Sequence, residues 1–144
     1  MADNMSKEKR SKTMKSIRSQ SELENRITKE LWRRGYRFRK NVNSMFGKPD
    51  ISIQKYKIVI FIDSCFWHAC PLHCNQPKSN QEYWKKKLLR NQQRDKEVND
   101  YYNSHGWNVK RIWEHEIKKD FYGAVDEIAD FIEIIKKNFV NHPR

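Results

Sequence analysis

The stretch Pro49–Asp63, PDISIQKYKIVIFID, decides the fold. "PDISI" and "KIVIFID" are rich in isoleucine and valine, as strands are, and only a few polar residues separate them. That pattern predicts a hairpin. "NSMFGKPD" before it reads as a turn, and "YRFRK" before that alternates as an exposed strand would. Downstream, "NQEYWKKKLLRNQQRDKEVNDYYNSHG" reads as one long helix, from a cap at Asn80 to Gly106. "WNVKRIW" follows as a strand. Strand, crossover helix and strand make a βαβ unit, so "KIVIFID" and "WNVKRIW" should lie parallel.

Two more helices flank this centre. In "SELENRITKELWRRG", Ser21 and Glu24 fit a capping box, Leu23, Ile27 and Leu31 mark one helical face, and Gly35 can close the end. A last helix, about Asp120 to Phe139, should bury Val125, Ile128, Ala129, Ile132 and Ile135. The expectation is a single α/β domain over residues 21–144, with a mixed central sheet flanked by helices. Residues 1–20, polar and basic, read as an N-terminal arm.

The chain has 144 residues, enough for one domain with a real core. Lys and Arg outnumber Asp and Glu by 30 to 18, a formal net charge of +12. That surplus points to a polyanion as partner, nucleic acid first. It is concentrated in the arm and in Arg26–Lys40, while Asp120–Phe139 is acidic. The start, "MADNMSKEKR", lacks an apolar signal, and no apolar run reaches membrane length. The expectation is a cytoplasmic protein, associated with the nucleoid, with no membrane partner.

"DSCFWHACPLHC", residues 63–74, carries the chemistry. Cys65, Cys70, His73 and Cys74 have the crowding of a structural zinc loop, which needs thiolates and imidazoles and gains from metal what packing cannot supply. Cys65, Cys70 and His73 are the first three ligands. His115 can close the site if its strand lies beside the one ending at Asp63, and Cys74 is the alternative. Asp50 opens one strand and Asp63 ends the next, so a hairpin can bring two carboxylates toward one Mg²⁺. His68 could then take a proton from attacking water. Each residue also has a plainer role. Asp50 could be a turn residue, His68 a zinc ligand and Glu24 the acid of its capping box. Phe66 and Trp67, fixed between ligand and base, could insert between base pairs. Trp84, beside "KKK", could do so too or pack in the core.

At "RSKTMKSI", "GKPDISI", "VIFIDSCFWHACPLHC", "YWKKKLLRNQQRD" and "GWNVKRIWEHE" the chain resembles the very short patch repair (Vsr) endonucleases, over about positions 8 to 118. The resemblance implies a fold like that of restriction endonucleases, with a structural zinc and catalytic Mg²⁺. It implies a nick in one strand of double-stranded DNA at T:G mismatches left by 5-methylcytosine deamination, which initiates very short patch repair. Asp50 falls at the family's Mg²⁺-binding aspartate, and Ile62 where a main-chain carbonyl also holds Mg²⁺. His68 falls at the histidine that activates water, and Glu24 at a glutamate that supports it. Phe66, Trp67 and Trp84 match intercalating aromatics, while Cys65, Cys70, His73 and His115 fall at zinc-ligand positions. The arm, with Arg10, Lys12, Lys15 and Arg18, would embrace the DNA backbone. No lysine follows Asp63 where related nucleases carry one, and members differ at Asp63 itself. A single active site and no evident dimer face favour a monomer that nicks, with mismatch-repair proteins as possible partners. The alternatives are a zinc-stabilised, non-catalytic binder of distorted DNA and a restriction-type nuclease that cuts both strands.

Overall fold

The computed structural model describes residues 22–64 and 81–141. Helix α1 spans residues 22–33 and ends at Gly35, whose φ of 102° is left-handed backbone that glycine adopts at little cost. Four strands follow: β1 (Arg39–Lys40), β2 (Ile51–Ile53), β3 (Ile58–Asp63) and β4 (Asn108–Trp113). Helix α2 (Gln81–Ser104) precedes β4 in the chain, and α3 (Glu114–Lys119) and α4 (Phe121–Asn141) come after it. The sheet order is β1-β2-β3-β4. β1–β2 and β2–β3 pair antiparallel, with Ile51 opposite Ile60, whereas β3–β4 pair parallel, with Phe61 opposite Arg111 and Asp63 opposite Trp113. The expected hairpin and the expected parallel pair are both present.

β3 is buried along its whole length because both faces of the sheet are covered. Ile58, Ile60 and Ile62 point to one side, into a core with Leu23, Ile27 and Leu31 of α1, Ile117 of α3, and Val125, Ile128 and Ile132 of α4. Val59 and Phe61 point to the other side, where they meet Val98 and Tyr102 of α2. The first core is the larger. Full burial of each of its isoleucines is worth about 1.5–3 kcal/mol, so most of the hydrophobic stabilisation lies on the α1/α4 face. Ile135 is only partly buried against it.

Two details differ from the sequence reading. The strand expected over "YRFRK" is reduced to Arg39–Lys40, both exposed at the sheet edge. The connection from β4 contains the short helix α3, whose single buried apolar residue is Ile117. The last helix begins at Phe121, directly after Asp120, and its first turn is fixed by the Gly123 N–H donating to the Asp120 carboxylate at 3.0 Å. Ser21 and Asn80, the expected caps, lie outside the described residues.

Candidate active site

The parallel register sends β3 and β4 out of the sheet at the same end, and α2 crosses above them. A cleft of about 420 Å³ remains there, lined by Lys48, Asp50, Asp63, Lys87, Arg94 and Arg111 among others. Asp50 enters from the mouth of β2. Its main-chain carbonyl accepts the Asn41 N–H at 3.0 Å, and its Oδ2 accepts the Ile62 N–H at 2.7 Å. The residue after β1 therefore fixes the backbone of Asp50, and β3 fixes its carboxylate. A carboxylate held by a main-chain N–H has little rotational freedom left, which suits a group that must present oxygens in one direction.

Glu24 reaches the same point from the first described turn of α1. Its side chain hydrogen-bonds to that of Asp50. Partial burial, then the charge of Asp50 and the shared hydrogen bond, push its carboxyl up from 4.5 to about 8, while Lys40 opposes the shift. Lys40 itself donates to Asn25 Oδ1 at 3.0 Å. Two acids thus crowd one spot, and both burial and the neighbouring charge favour the protonated form of Glu24.

Asp63 also faces the cleft, but its environment is different. Its side chain is only 8% exposed, and Oδ1 accepts from Arg111 Nη1 at 2.8 Å. Arg111 is further held by its Nε donating to Asn99 Oδ1 at 2.7 Å, by Asp95 at 3.7 Å and by stacking over the Phe61 ring at 4.3 Å. The two carboxylates, of which the sequence left the role of Asp63 open, therefore sit in different surroundings. Asp63 is compensated by a neighbouring guanidinium, whereas Asp50 is crowded by a second acid. Sequence reasoning missed Arg111. The signal was available, because a carboxylate at the end of a buried strand needs a cation, and Arg111 lies on the parallel partner two residues before Trp113, which pairs with Asp63.

His115 lies in the first turn of α3, its ring stacked on Trp113 with centroids 6.2 Å apart. Trp84 is half-buried at the start of α2, in edge contact with Tyr83 and with the Lys87 ammonium 5.5 Å from its centroid. It is therefore neither a full core residue nor a free ring. Cys65, Phe66, Trp67, His68, Cys70, His73 and Cys74 lie outside the described residues, as do Arg10, Lys12, Lys15 and Arg18 of the arm.

A mixed sheet flanked by helices, with paired acids at the rim of a basic cleft, is nuclease-like in layout. Comparison with known proteins makes the class definite. The family described as DNA mismatch endonuclease Vsr matches residues 2–76. The chain is 41% identical over 130 residues to the type II nicking enzyme V.NaeI of Lentzea aerocolonigenes, covering 86% of this chain and 78% of that one. It is 42% identical over 122 residues to the type II nicking enzyme V.HpaIIP of Haemophilus parainfluenzae, covering 82% and 86%. It is 35% identical over 118 residues to the DNA mismatch endonuclease Vsr of Escherichia coli K12, covering 79% and 74%. The chain belongs to the Vsr family of DNA endonucleases.

Proposed function

We propose that this endonuclease nicks one strand of duplex DNA at T:G mismatches arising from 5-methylcytosine deamination, in a reaction that depends on Mg²⁺. The observation that carries the chemistry is the Asp50 carboxylate, pinned by the Ile62 N–H at 2.7 Å and crowded by Glu24. Hard oxygen donors bearing excess negative charge suit Mg²⁺. The Asp50 carboxylate and the Ile62 main-chain carbonyl would hold it. When bound, the ion supplies a Lewis acid that offsets charge on the leaving 3′ oxygen. His68 accepts the proton of the attacking water, so it must be neutral at working pH, and Glu24 supports it.

A structural zinc held by Cys65, Cys70, His73 and His115, with Cys74 as the alternative ligand, fits the same reading. Thiolates and imidazoles are the donors zinc prefers. The parallel pairing of Asp63 with Trp113 supports a site shared between the two strand exits, since Cys65 and His115 each follow their strand by two residues. Phe66, Trp67 and Trp84 would wedge into the duplex beside the mismatch. Partial exposure of Trp84 supports its share of that role. Arg10, Lys12, Lys15 and Arg18 would follow the backbone, and a monomer would suffice, with mismatch-repair proteins as further partners. The deciding experiment incubates end-labelled T:G, T:A and C:G duplexes with the protein, with and without Mg²⁺. A nick confined to the T:G duplex and to Mg²⁺ is expected. Equal cutting of all three, or none, would overturn the proposal.

A further inference from the structure

Four cations line the cleft, and they are not equivalent. Arg111 is compensated by Asp63 and Asp95, as described above. Lys87 leans on the ring of Trp84. Arg94, on α2, is exposed and makes no ion pair with any described residue, and the same holds for Lys48, two residues before Asp50. The backbone of Lys48 is also unusual. With φ at 51° it lies in the left-handed region, which costs a residue with a side chain roughly 1–2 kcal/mol, and the residue before a proline is ordinarily extended.

That conformation persists because both sides of Lys48 are clamped. On one side, the Phe46 carbonyl accepts from the Tyr102 hydroxyl at 2.5 Å. Gly47, at φ 74°, lies so close to Val98 that an added Cβ would sit 2.7 Å from its Cγ1. On the other side, the Pro49 and Asp50 carbonyls accept from the Val42 and Asn41 N–H groups at 3.2 and 3.0 Å. The Lys48 N–H closes the turn onto the Met45 carbonyl at 3.0 Å. A strained backbone held from both ends, two residues before the fixed carboxylate of Asp50, presents one uncompensated ammonium to the cleft.

We propose that Lys48 binds a backbone phosphate of the cleaved strand, next to the bond that is cut. The inference deepens the function given above and rests on it for the cut itself. The phosphate contact is tested separately. Binding of a fully paired duplex is measured without divalent cations as a function of salt. Each phosphate neutralised contributes about −0.9 to the slope of log Kobs against log salt, so Lys48→Gln should make the slope shallower by about one. Lys48→Arg should restore it. Lys137→Gln carries the same charge change on α4, whose apolar residues pack the opposite face of the sheet, and should leave the slope unaltered.

Single-turnover nicking of the T:G duplex at saturating protein supplies the second arm, where Lys48→Gln should be slower by about tenfold or more. A folded Lys48→Gln protein with the parental slope would overturn the proposal. A shallower slope with a parental rate would put the phosphate away from the cut bond and overturn the placement. Should the parent fail to nick T:G duplexes at all, the function above falls, while the slope still decides whether Lys48 holds a phosphate.

Discussion

Replacing Arg111 by Met tests whether the Asp63–Arg111 pair is a real energetic unit. Met keeps an unbranched stem over Phe61 but removes the donors to Asp63 Oδ1 and Asn99 Oδ1. The Asp63 side chain is 8% exposed and that of Arg111 19%, so the variant leaves a buried carboxylate without its cation. Breaking such a pair from one side costs about 3–5 kcal/mol, and the stacking lost over Phe61 adds about 0.5–1 kcal/mol. Asp63→Asn, which removes the charge and keeps the shape, should cost about 1–2 kcal/mol. The double variant should be more stable than Arg111→Met alone by about 2 kcal/mol, because the charge that Arg111 compensated is gone. Urea unfolding followed by circular dichroism gives all three values. Asp63→Asn should also keep most of the parental nicking rate, because its charge serves Arg111. A cost below about 1 kcal/mol for Arg111→Met, or strict additivity in the double variant, would refute the reasoning.

Asp50→Ala should abolish nicking while mismatch binding stays near parental, and unfolding should show about 1 kcal/mol lost because the Ile62 N–H loses its acceptor. His68→Ala should lose most of the rate without losing zinc by metal analysis, which separates a base from a ligand. Cys65→Ala should release zinc and lower the thermal midpoint together; a stable, metal-free variant would sink the structural role. The pH dependence follows from Glu24, whose carboxyl rises from 4.5 to about 8 on folding. A raised value favours the folded state fully below about 4.5, and that contribution is lost as pH climbs through about 8. Metal-free protein should therefore weaken over that range in chemical melts, and Glu24→Gln should flatten the trend.

Much of the architecture was legible because it follows from periodicity. β3 announces itself as an uninterrupted run of apolar, mostly β-branched residues, and the length of α2 forces a parallel return to β4. Helix α3 was missed because six residues with one buried isoleucine give no periodic signal. Asp50 and Glu24 were legible as candidates, but their contact joins residues from separate elements, and no local pattern encodes it. The same holds for Arg111. Alternation along β4 puts it on the α2 side while Lys110 pairs with Glu127 of α4, and only the sheet order reveals what it meets. Lys48 reads in sequence as an ordinary turn lysine, since its left-handed backbone depends on the packing of Gly47 against Val98.

The unequal cores on the two faces of the sheet bear on how such an enzyme can diversify. The residues that hold the chain folded are gathered mainly beneath α1 and α4, while the cleft face rests on a thin apolar contact from α2. Positions 87, 91 and 94 line the cleft outside that contact and can drift without eroding the main core. Evolvability is thus partitioned by geometry: a library confined to those three positions would sample new recognition preferences in a scaffold whose foldability is secured elsewhere.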